Sequence, residues 1–245
     1  MNSLELFAVE GLPEVRPGDD LGDMISSNAN LKAADVIVVA QKVVSKSEGK
    51  LRDLGSVVAG EEATRIAAQL INLPDPRLVQ VILDESVRVI RSERVLITQT
   101  RHGFVCANSG VDQSNVGEPD VVTLLPDDPD ASALRIRERI HDRTGIDVGV
   151  IVSDTFGRPW RLGIVNVALG VAGLPALIDL RGTPDDMGRD MHATVLAIAD
   201  DLASAAGLVM RKTARAPAVV IRGLELEGDG HGRDLVRPAA EDLFR

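Results

Sequence analysis

Asp35-Val-Ile-Val-Val-Ala40 is the most strand-like segment of this 245-residue chain, and the fold prediction starts from it. Its side chains are apolar and mostly β-branched, a pattern typical of a strand that is buried on both faces. Further apolar runs predict strands at residues 95–98, 104–107, 148–152 and 218–221. The sequence therefore contains at least five candidate strands.

Helices are predicted between these strands, where apolar residues recur three and four positions apart. The patterns are Ala63, Ile66, Ala67, Leu70 and Ile71, ended by Asn72 and Pro74; Ala133, Ile136 and Ile140, ended by Gly145; and Met191, Val195, Ile198, Leu202 and Ala206. Because strands and helices alternate irregularly, the predicted fold class is α+β (mixed α/β). We expect one domain over residues 1–245, in which the acidic, Pro-rich segment 126–130 is either a loop or a joint between two sub-lobes.

The composition restricts the classes of function. Apolar residues make up 44% of the chain but aromatic residues only 2%, so the core must consist of Val, Leu, Ile and Ala. A formal charge of −10 argues against binding to nucleic acid or to an anionic membrane surface, both of which need clustered Lys and Arg. Binding of RNA, DNA or a membrane is therefore not expected.

Cys106 is the single cysteine, so no intramolecular disulfide can form and a reducing compartment is expected. Its apolar neighbours predict a core position. The sequence shows no signal-peptide pattern and no apolar segment near the ~18 residues that a membrane span requires. A cytoplasmic location is expected.

The segment Val150-Ile-Val-Ser-Asp-Thr155 predicts a functional site, because a predicted buried strand runs directly into polar residues there. Asp154 and the Thr155 hydroxyl are hard oxygen ligands of the kind that Mg²⁺ or Mn²⁺ prefers. The structural alternative is an Asp that caps the next turn and pairs with an Arg.

A second polar segment, Cys106-Ala-Asn-Ser-Gly-Val-Asp-Gln-Ser-Asn115, follows another predicted strand. Its small residues could bring backbone amides close to a ligand, although any turn uses the same residue types. Asp112 is a candidate metal ligand, and Asn115 is a candidate contact to a base or a phosphate. A lone carboxylate at a buried strand end costs several kcal/mol, so a metal shared by Asp112 and Asp154 is the simpler interpretation.

A third segment, Lys42-Val-Val-Ser-Lys-Ser-Glu-Gly-Lys50, resembles a phosphate-holding loop through Ser45, Lys46 and Gly49. It does not have the G-x-x-x-x-G-K-[ST] spacing of a Walker A loop. Lys46 is a candidate phosphate contact only through its neighbours, since a lysine in a polar loop is usually a solvated surface charge.

Five motifs together resemble the coenzyme F420-0:L-glutamate ligase family, the F420 gamma-glutamyl ligases, over nearly the whole chain. They are Gly11-Leu-Pro-Glu14, Val43-Val-Ser-Lys-Ser-Glu-Gly49, Ala107-Asn-Ser-Gly-Val-Asp-Gln-Ser-Asn115, Ser153-Asp-Thr-Phe-Gly-Arg-Pro-Trp-Arg161 and Ala197-Ile-Ala-Asp-Asp-Leu-Ala-Ser-Ala-Ala206. The resemblance implies a GTP-dependent amide ligase with an F420 gamma-glutamyl ligase-like α+β fold and an intertwined homodimer. Its substrates would be GTP, L-glutamate and coenzyme F420-0 or dehydro-F420-0.

The resemblance also implies roles for particular residues. Asp112 and Asp154 would hold one Mg²⁺ or Mn²⁺ ion and Thr155 would help to hold a second, with K⁺ in support. Lys46, Asp112 and Asp154 would be the catalytic residues. The nucleotide site would be lined by Leu12, Pro13, Glu14, Val15, Gln41, Lys46, Asn115, Met210, Arg211, Lys212 and Thr213.

The chain departs from the family pattern at two of these positions. Lys212 stands where an amide side chain is common near the second metal, and a protonated Lys cannot bind a cation. Gln41 stands where a small hydroxyl residue is common. Some relatives carry a flavin-dependent reductase domain beyond this region; the chain ends at Arg245 without one, so no reductase activity is expected.

Two other classes of function are compatible with the residues alone. One is another metal-dependent, nucleotide-using enzyme, such as a kinase or a nucleotidyltransferase, that shares the site but uses a different acceptor. The other is a non-catalytic partner or regulatory module, which would tolerate substitution at Asp112 and Asp154.

Overall fold

A computed structural model describes residues 3–72, 75–113, 120–211 and 215–242. The strands in this part of the chain are β1 (Glu5–Ala8), β2 (Val36–Ala40), β3 (Leu51–Asp53), β4 (Ser86–Arg91), β5 (Ile97–Thr100), β6 (Val105–Ala107), β7 (Val121–Thr123), β8 (Gly149–Arg158), β9 (Arg161–Ala172), β10 (Ile178–Asp179), β11 (Val195–Leu196) and β12 (Ala218–Arg222). The α-helices are α1 (Leu21–Asn28), α2 (Gln41–Ser47), α3 (Glu61–Ala67), α4 (Pro76–Asp84), α5 (Pro129–Thr144) and α6 (Ile198–Met210).

The main sheet contains five strands in the order β1-β12-β2-β8-β9. Only β2 and β8 pair in parallel, and their neighbours pair antiparallel. Alternate side chains of β2 enter different cores: Ile37 and Val39 pack with α1 and α5, whereas Val36 and Val38 pack with α6. The prediction that this strand is buried on both faces is confirmed.

Smaller sheets complete the fold: β10 and β11 form one, β4, β5 and β6 another, and β3 and β7 a third. A separate hydrophobic cluster joins α3 and α4 to the last two of these sheets. It contains Leu54, Ile66, Val79, Ile82 and Leu96 together with Val89 of β4 and Val122 of β7. The mixture of several sheets with helices agrees with the predicted α+β class.

Helix α5 ends at the predicted residue and begins at Pro129, inside the segment 126–130 that was predicted to be a loop or a joint. The Asp128 side chain caps its first turn by accepting a hydrogen bond from the Ala131 amide. Gly145 ends the helix in the left-handed conformation, with φ 70°.

Two other predicted helices are shorter than their apolar patterns. α6 begins at Ile198 rather than near Met191, because Val195 and Leu196 pair with β10 instead. α3 ends at Ala67, and Ile71 is exposed rather than part of the buried stripe. In both places the periodicity extends beyond the residues that tertiary contacts hold in a helix.

An ion pair joins the two neighbouring strands β12 and β2. The Arg222 guanidinium donates to both carboxylate oxygens of buried Asp35, at 2.8 and 2.7 Å, and lies 5.1 Å from the centre of the Phe7 ring. Asp35 also accepts a hydrogen bond from the Lys32 amide. The turn that leads into β2 is thereby fixed.

Among the described residues, the helices lack the combination of length and apolar character that is needed to cross a membrane.

Candidate functional site

The parallel pair β2 and β8 ends at the edge of the main sheet where the predicted site residues gather. Ala40 pairs with Ser153 at the end of this ladder, and the next residues along the two strands are Gln41 and Asp154. Gln41 starts α2, while β8 continues to Arg158 in a hairpin with β9. The prediction that β8 ends near residue 152 is therefore wrong, because β9 keeps pairing with it beyond the sheet. Asp154 lies within a strand and does not cap a turn.

Asp112 is held next to this edge by backbone and side-chain contacts. Its backbone forms an isolated bridge to Thr123, with N–O distances of 3.1 and 2.9 Å. Its carboxylate Oδ2 accepts a hydrogen bond from the Lys42 ammonium at 2.8 Å. Since Lys42 is the second residue of α2, the ion pair links Asp112 to the end of β2.

Asp154 points toward β6. Burial raises the pKa of the Cys106 thiol to about 12, and the negative charge of Asp154 adds to that rise. Phe156, two residues further along β8, packs edge to face against Phe104 with ring centres 6.3 Å apart. Asp154 therefore faces the strand from which the loop with Asp112 continues. The prediction that Cys106 is a core residue is confirmed.

Thr155 points to the other face of β8, because neighbouring residues in a strand project in opposite directions. Its hydroxyl donates to the Asn166 side-chain oxygen at 3.4 Å, and the Asn166 side-chain nitrogen lies 3.6 Å from the Met210 sulfur. The prediction that Asp154 and Thr155 bind the same ion as neighbouring ligands is therefore not supported. Thr155 instead faces the end of α6.

The residues at the edge fit a divalent cation in part. Asp112 and Asp154 supply hard carboxylate oxygens, and the Lys42 ammonium on Asp112 shows that a positive charge is stable at this position. In the part of the chain that the structure describes, no group of three or more acidic, His or Cys side chains is arranged to hold a metal. Asn115, the predicted base or phosphate contact, lies outside the described residues.

The loop that carries Asp112 uses its amides within the fold. The Ser109 amide donates to the Thr98 hydroxyl, the Val111 amide to the Asn108 carbonyl, and the Asp112 amide to the Thr123 carbonyl. These three amides are engaged in the fold, which does not support the interpretation that the loop presents them to a ligand.

Most of the predicted phosphate-holding loop is a helix, α2, and Gly49 lies beyond its end. The Gln41 side chain, 2% exposed, donates to the Ser45 hydroxyl and the Leu124 carbonyl. The Ser45 hydroxyl is buried as well and donates to the same carbonyl. These contacts turn Gln41 and Ser45 into the protein, which does not favour contact with a nucleotide through either side chain.

Lys46 lies on a different stripe of α2, next to the stripe of Gln41 and Ser45. Its side chain is only 11% exposed, and its ammonium forms an ion pair with Glu14. Lys46 is thus not a solvated surface charge. The contact joins residues 12–15 and α2, two segments that the family resemblance implies for the same nucleotide site.

The remaining predicted nucleotide residues are next in sequence to the residues that line a cleft. Leu12 is half-buried, Pro13 and Glu14 are exposed, and Val15 is buried. A cleft of about 360 Å³ is lined by residues 8–11 together with Val209, Arg215 and Ala216. Met210 is buried at the end of α6 and Arg211 is exposed, whereas Lys212 and Thr213 lie outside the described residues. The segments before Leu12 and around Met210 therefore approach each other.

Sequence reasoning missed two residues of this region, Lys42 and Asn166. In sequence, Lys42 looks like any lysine of a polar loop. Once α2 is known to be a helix, the four-residue spacing to Lys46 places both side chains on one face. Asn166 gives no local signal, because its contact with Thr155 depends on the register between β8 and β9.

The similarity to known proteins agrees with these motifs. A family model described as F420-0:Gamma-glutamyl ligase matches residues 11–223. A relative from Methanopyrus kandleri named Coenzyme F420:L-glutamate ligase is 43% identical over 255 residues, which cover 100% of both chains. Relatives of the same name come from Methanocaldococcus jannaschii, 43% identical over 99% of this chain and 97% of its own, and Halorubrum lacusprofundi, 47% identical over 94% of this chain and 91% of its own. The resemblance seen in the motifs is confirmed, and the chain belongs to the F420-0:gamma-glutamyl ligase family.

Proposed function

We propose that this chain is a GTP-dependent ligase that joins L-glutamate to coenzyme F420-0, or to its dehydro form, in coenzyme F420 biosynthesis. The names of the relatives, which match over nearly the full length, support the substrates. The observation that carries the proposal is the ion pair between Asp112 and Lys42 of α2, which follows β2 directly at the end of the ladder where β8 continues into Asp154.

The reaction has two steps. A carboxylate oxygen of the acceptor attacks the γ-phosphorus of GTP, the bond from that phosphorus to the bridging oxygen breaks, and GDP leaves. The glutamate amine then attacks the carbonyl carbon of the acyl phosphate, the carbon–oxygen bond to phosphate breaks, and an amide, phosphate and one proton are released. Positioning and charge stabilisation suffice for both steps, so no protein nucleophile is needed.

Asp112 and Asp154 would hold one Mg²⁺ or Mn²⁺ ion, and Thr155 would help to hold a second on the other face of β8. Divalent cations neutralise charge that develops on a transferring phosphoryl group, and K⁺ is expected to support them. The opposite directions of Asp154 and Thr155 support two ion positions over one.

Lys46 supplies a positive charge next to residues 12–15. Because its side chain is mostly buried and α2 is anchored through Gln41 and Ser45, the ammonium stays near this segment even though its stem is flexible. A cation positioned in advance stabilises phosphate charge without reorganisation during the reaction.

Substitution of the two aspartates tests the proposal. We expect Asp112→Asn and Asp154→Asn each to lower ligase activity by at least about 100-fold, since a neutral amide binds a divalent cation weakly. Asp127→Asn is the matched control, because Asp127 pairs with Lys50 and Arg101 outside the site. The assay contains GTP, Mn²⁺ or Mg²⁺, glutamate and the F420 precursor.

Mass spectrometry of the product separates this ligase from a kinase or a nucleotidyltransferase, because only the ligase adds whole glutamyl units. A product that gains phosphate or a nucleotide would contradict the proposal. Full activity in both site variants, with thermal unfolding like that of the native protein, would contradict the metal assignment.

A further inference from the structure

Lys42 and Lys46 form a pair of ammonium groups on one face of α2. They are about one helical turn apart, so their Cβ atoms lie about 5–6 Å from each other. Their side chains are 20% and 11% exposed, and each meets a carboxylate from a different segment, Asp112 and Glu14. No role has been assigned to Lys42 so far.

A neighbouring stripe of α2, about 100° around the helix, limits how far this pair can turn away. Gln41 and Ser45 both donate to the Leu124 carbonyl, at 3.1 and 2.5 Å, and both are buried. The lysine face of α2 is therefore fixed toward the sheet edge that carries Asp154. Only the flexible stems of Lys42 and Lys46 can change position.

The proposed function, on which this inference rests, creates a conflict at Asp112. A divalent cation on Asp112 would stand next to the Lys42 ammonium, and two positive charges a few Å apart repel each other strongly at a partly buried site. Lys42 then needs another anion within reach of its side chain. The space beside Lys46, where the nucleotide phosphates are expected, is the place to which α2 directs it.

We propose that Lys42 is a second phosphate-binding ammonium, which leaves Asp112 for a nucleotide phosphate when the divalent cation binds. Without ligands, Lys42 occupies the carboxylate and competes with the metal. With ligands, Lys42 and Lys46 contact adjacent phosphate groups from one helix face. Removal of the Lys42 charge therefore strengthens binding of the divalent cation and weakens binding of the nucleotide.

The experiment compares Lys42→Met with Lys50→Met. Lys50 is a matched control, because it is 27% exposed and pairs with Asp127 in the same way. Binding of Mn²⁺ to nucleotide-free protein is measured by electron paramagnetic resonance of the free ion, and binding of GDP with Mn²⁺ by calorimetry. We expect Lys42→Met to bind Mn²⁺ about tenfold more tightly and the nucleotide about tenfold more weakly, since each change is one charge-assisted contact.

Lys42→Arg keeps the charge and provides the second variant. We expect its Mn²⁺ affinity to stay near that of the native protein, because a guanidinium can also pair with Asp112. Unchanged Mn²⁺ affinity in Lys42→Met, with unchanged nucleotide affinity, would overturn the exchange. Weaker Mn²⁺ binding in Lys42→Met would also overturn the exchange. It would mean that Lys42 has a structural role and orients Asp112.

The two proposals fail in different ways. If the native protein neither binds GDP nor forms a glutamylated product, the proposed function fails and the exchange at Lys42 falls with it. If the native protein is an active ligase but Lys42→Met leaves both affinities unchanged, only the exchange is wrong. If Lys42→Met does not fold, Lys42→Gln and Lys42→Arg give the same comparison of neutral and charged side chains.

Discussion

Asn108, Ser109 and Gly110 adopt the left-handed conformation in succession, with φ 56°, 53° and 72°. Left-handed backbone is unfavourable for residues other than Gly, so Asn108 and Ser109 need compensation from the surrounding structure. The Ser109 hydroxyl provides it, because it is buried and lies 2.7 Å from both the Ser86 and the Thr98 hydroxyls. This network fixes the direction in which the chain reaches Asp112.

Gly110→Ala tests how tightly this turn is packed. A Cβ at Gly110 would lie 2.6 Å from a methyl carbon of Leu125, which is itself 1% exposed, and φ would stay left-handed. We expect a loss of about 3 kcal/mol in the free energy of unfolding, measured with urea, because strain and overpacking add. A loss of unfolding free energy as small as that of a surface substitution would show that Leu125 can move aside.

Gly145→Ala is the matched control for backbone strain. Gly145 also has a left-handed φ, 70°, but a Cβ there meets no atom within 4 Å. We expect a loss of about 1 kcal/mol, which is the cost of the conformation alone. The difference between the two variants measures the clash at Gly110.

At the scale of elements, helix α6 is attached to the main sheet through a carboxylate in its first turn. Asp200 Oδ1 accepts a hydrogen bond from the Ala168 amide of β9 at 2.8 Å, next to the bulge between β8 and β9. Burial raises the pKa of Asp200, and the nearby charge of Asp201 adds to the rise, while the hydrogen bond from Ala168 opposes it. The ionised carboxylate therefore costs the folded protein free energy.

Asp200→Asn should make the stability of α6 less dependent on pH. The folded state binds the Asp200 proton more tightly than the unfolded state, so native stability falls as pH rises from the unfolded pKa through the folded pKa. An amide oxygen can still accept from Ala168. We expect the variant to gain stability relative to the native protein as pH rises from 4 to 7, by up to about 1 kcal/mol.

Urea unfolding at several pH values measures this difference. Asp201→Asn is the control, because Asp201 is the next residue of the helix but is exposed. For Asp201→Asn, we expect the difference in unfolding free energy from the native protein to change much less with pH. A stability loss in Asp200→Asn that grows with pH would contradict the interpretation and would mean that the charge itself stabilises α6.

At the scale of the whole molecule, the hairpin of β8 and β9 extends beyond the main sheet as an arm. The apolar side chains near its tip are exposed: Trp160 by 80%, Leu162 by 97% and Ile164 by 53%. Exposed apolar groups that lie close together are typical of protein interfaces. We propose that these residues belong to the interface of the homodimer that the family resemblance implies.

A double substitution tests the arm. We expect Leu162→Asp with Ile164→Asp to shift sedimentation from the dimer to the monomer, because two charges would be buried in the interface. Val58→Asp is the control, since Val58 is an exposed apolar residue between β3 and α3. A native protein that sediments as a monomer, or an unaltered dimer in the double variant, would contradict the proposal.

The sequence alone determined the features that depend on neighbouring residues. The β-branched runs predicted β2, β8 and β12, which adjoin in the main sheet, and Gly145 marked the end of α5. The motifs also predicted the family. Periodicity, caps and short motifs are local properties, so a single sequence is enough to recognise them.

The tertiary structure decided which side chains meet at the candidate site. Lys42 and Asp112 are 70 positions apart in the chain, and no local pattern predicts their ion pair. Asp154 and Thr155 are adjacent in sequence, yet β9 extends β8 through both and turns them to opposite faces. Strand pairing and burial depend on distant segments, so the directions of Lys42, Asp154 and Thr155 follow only from the folded chain.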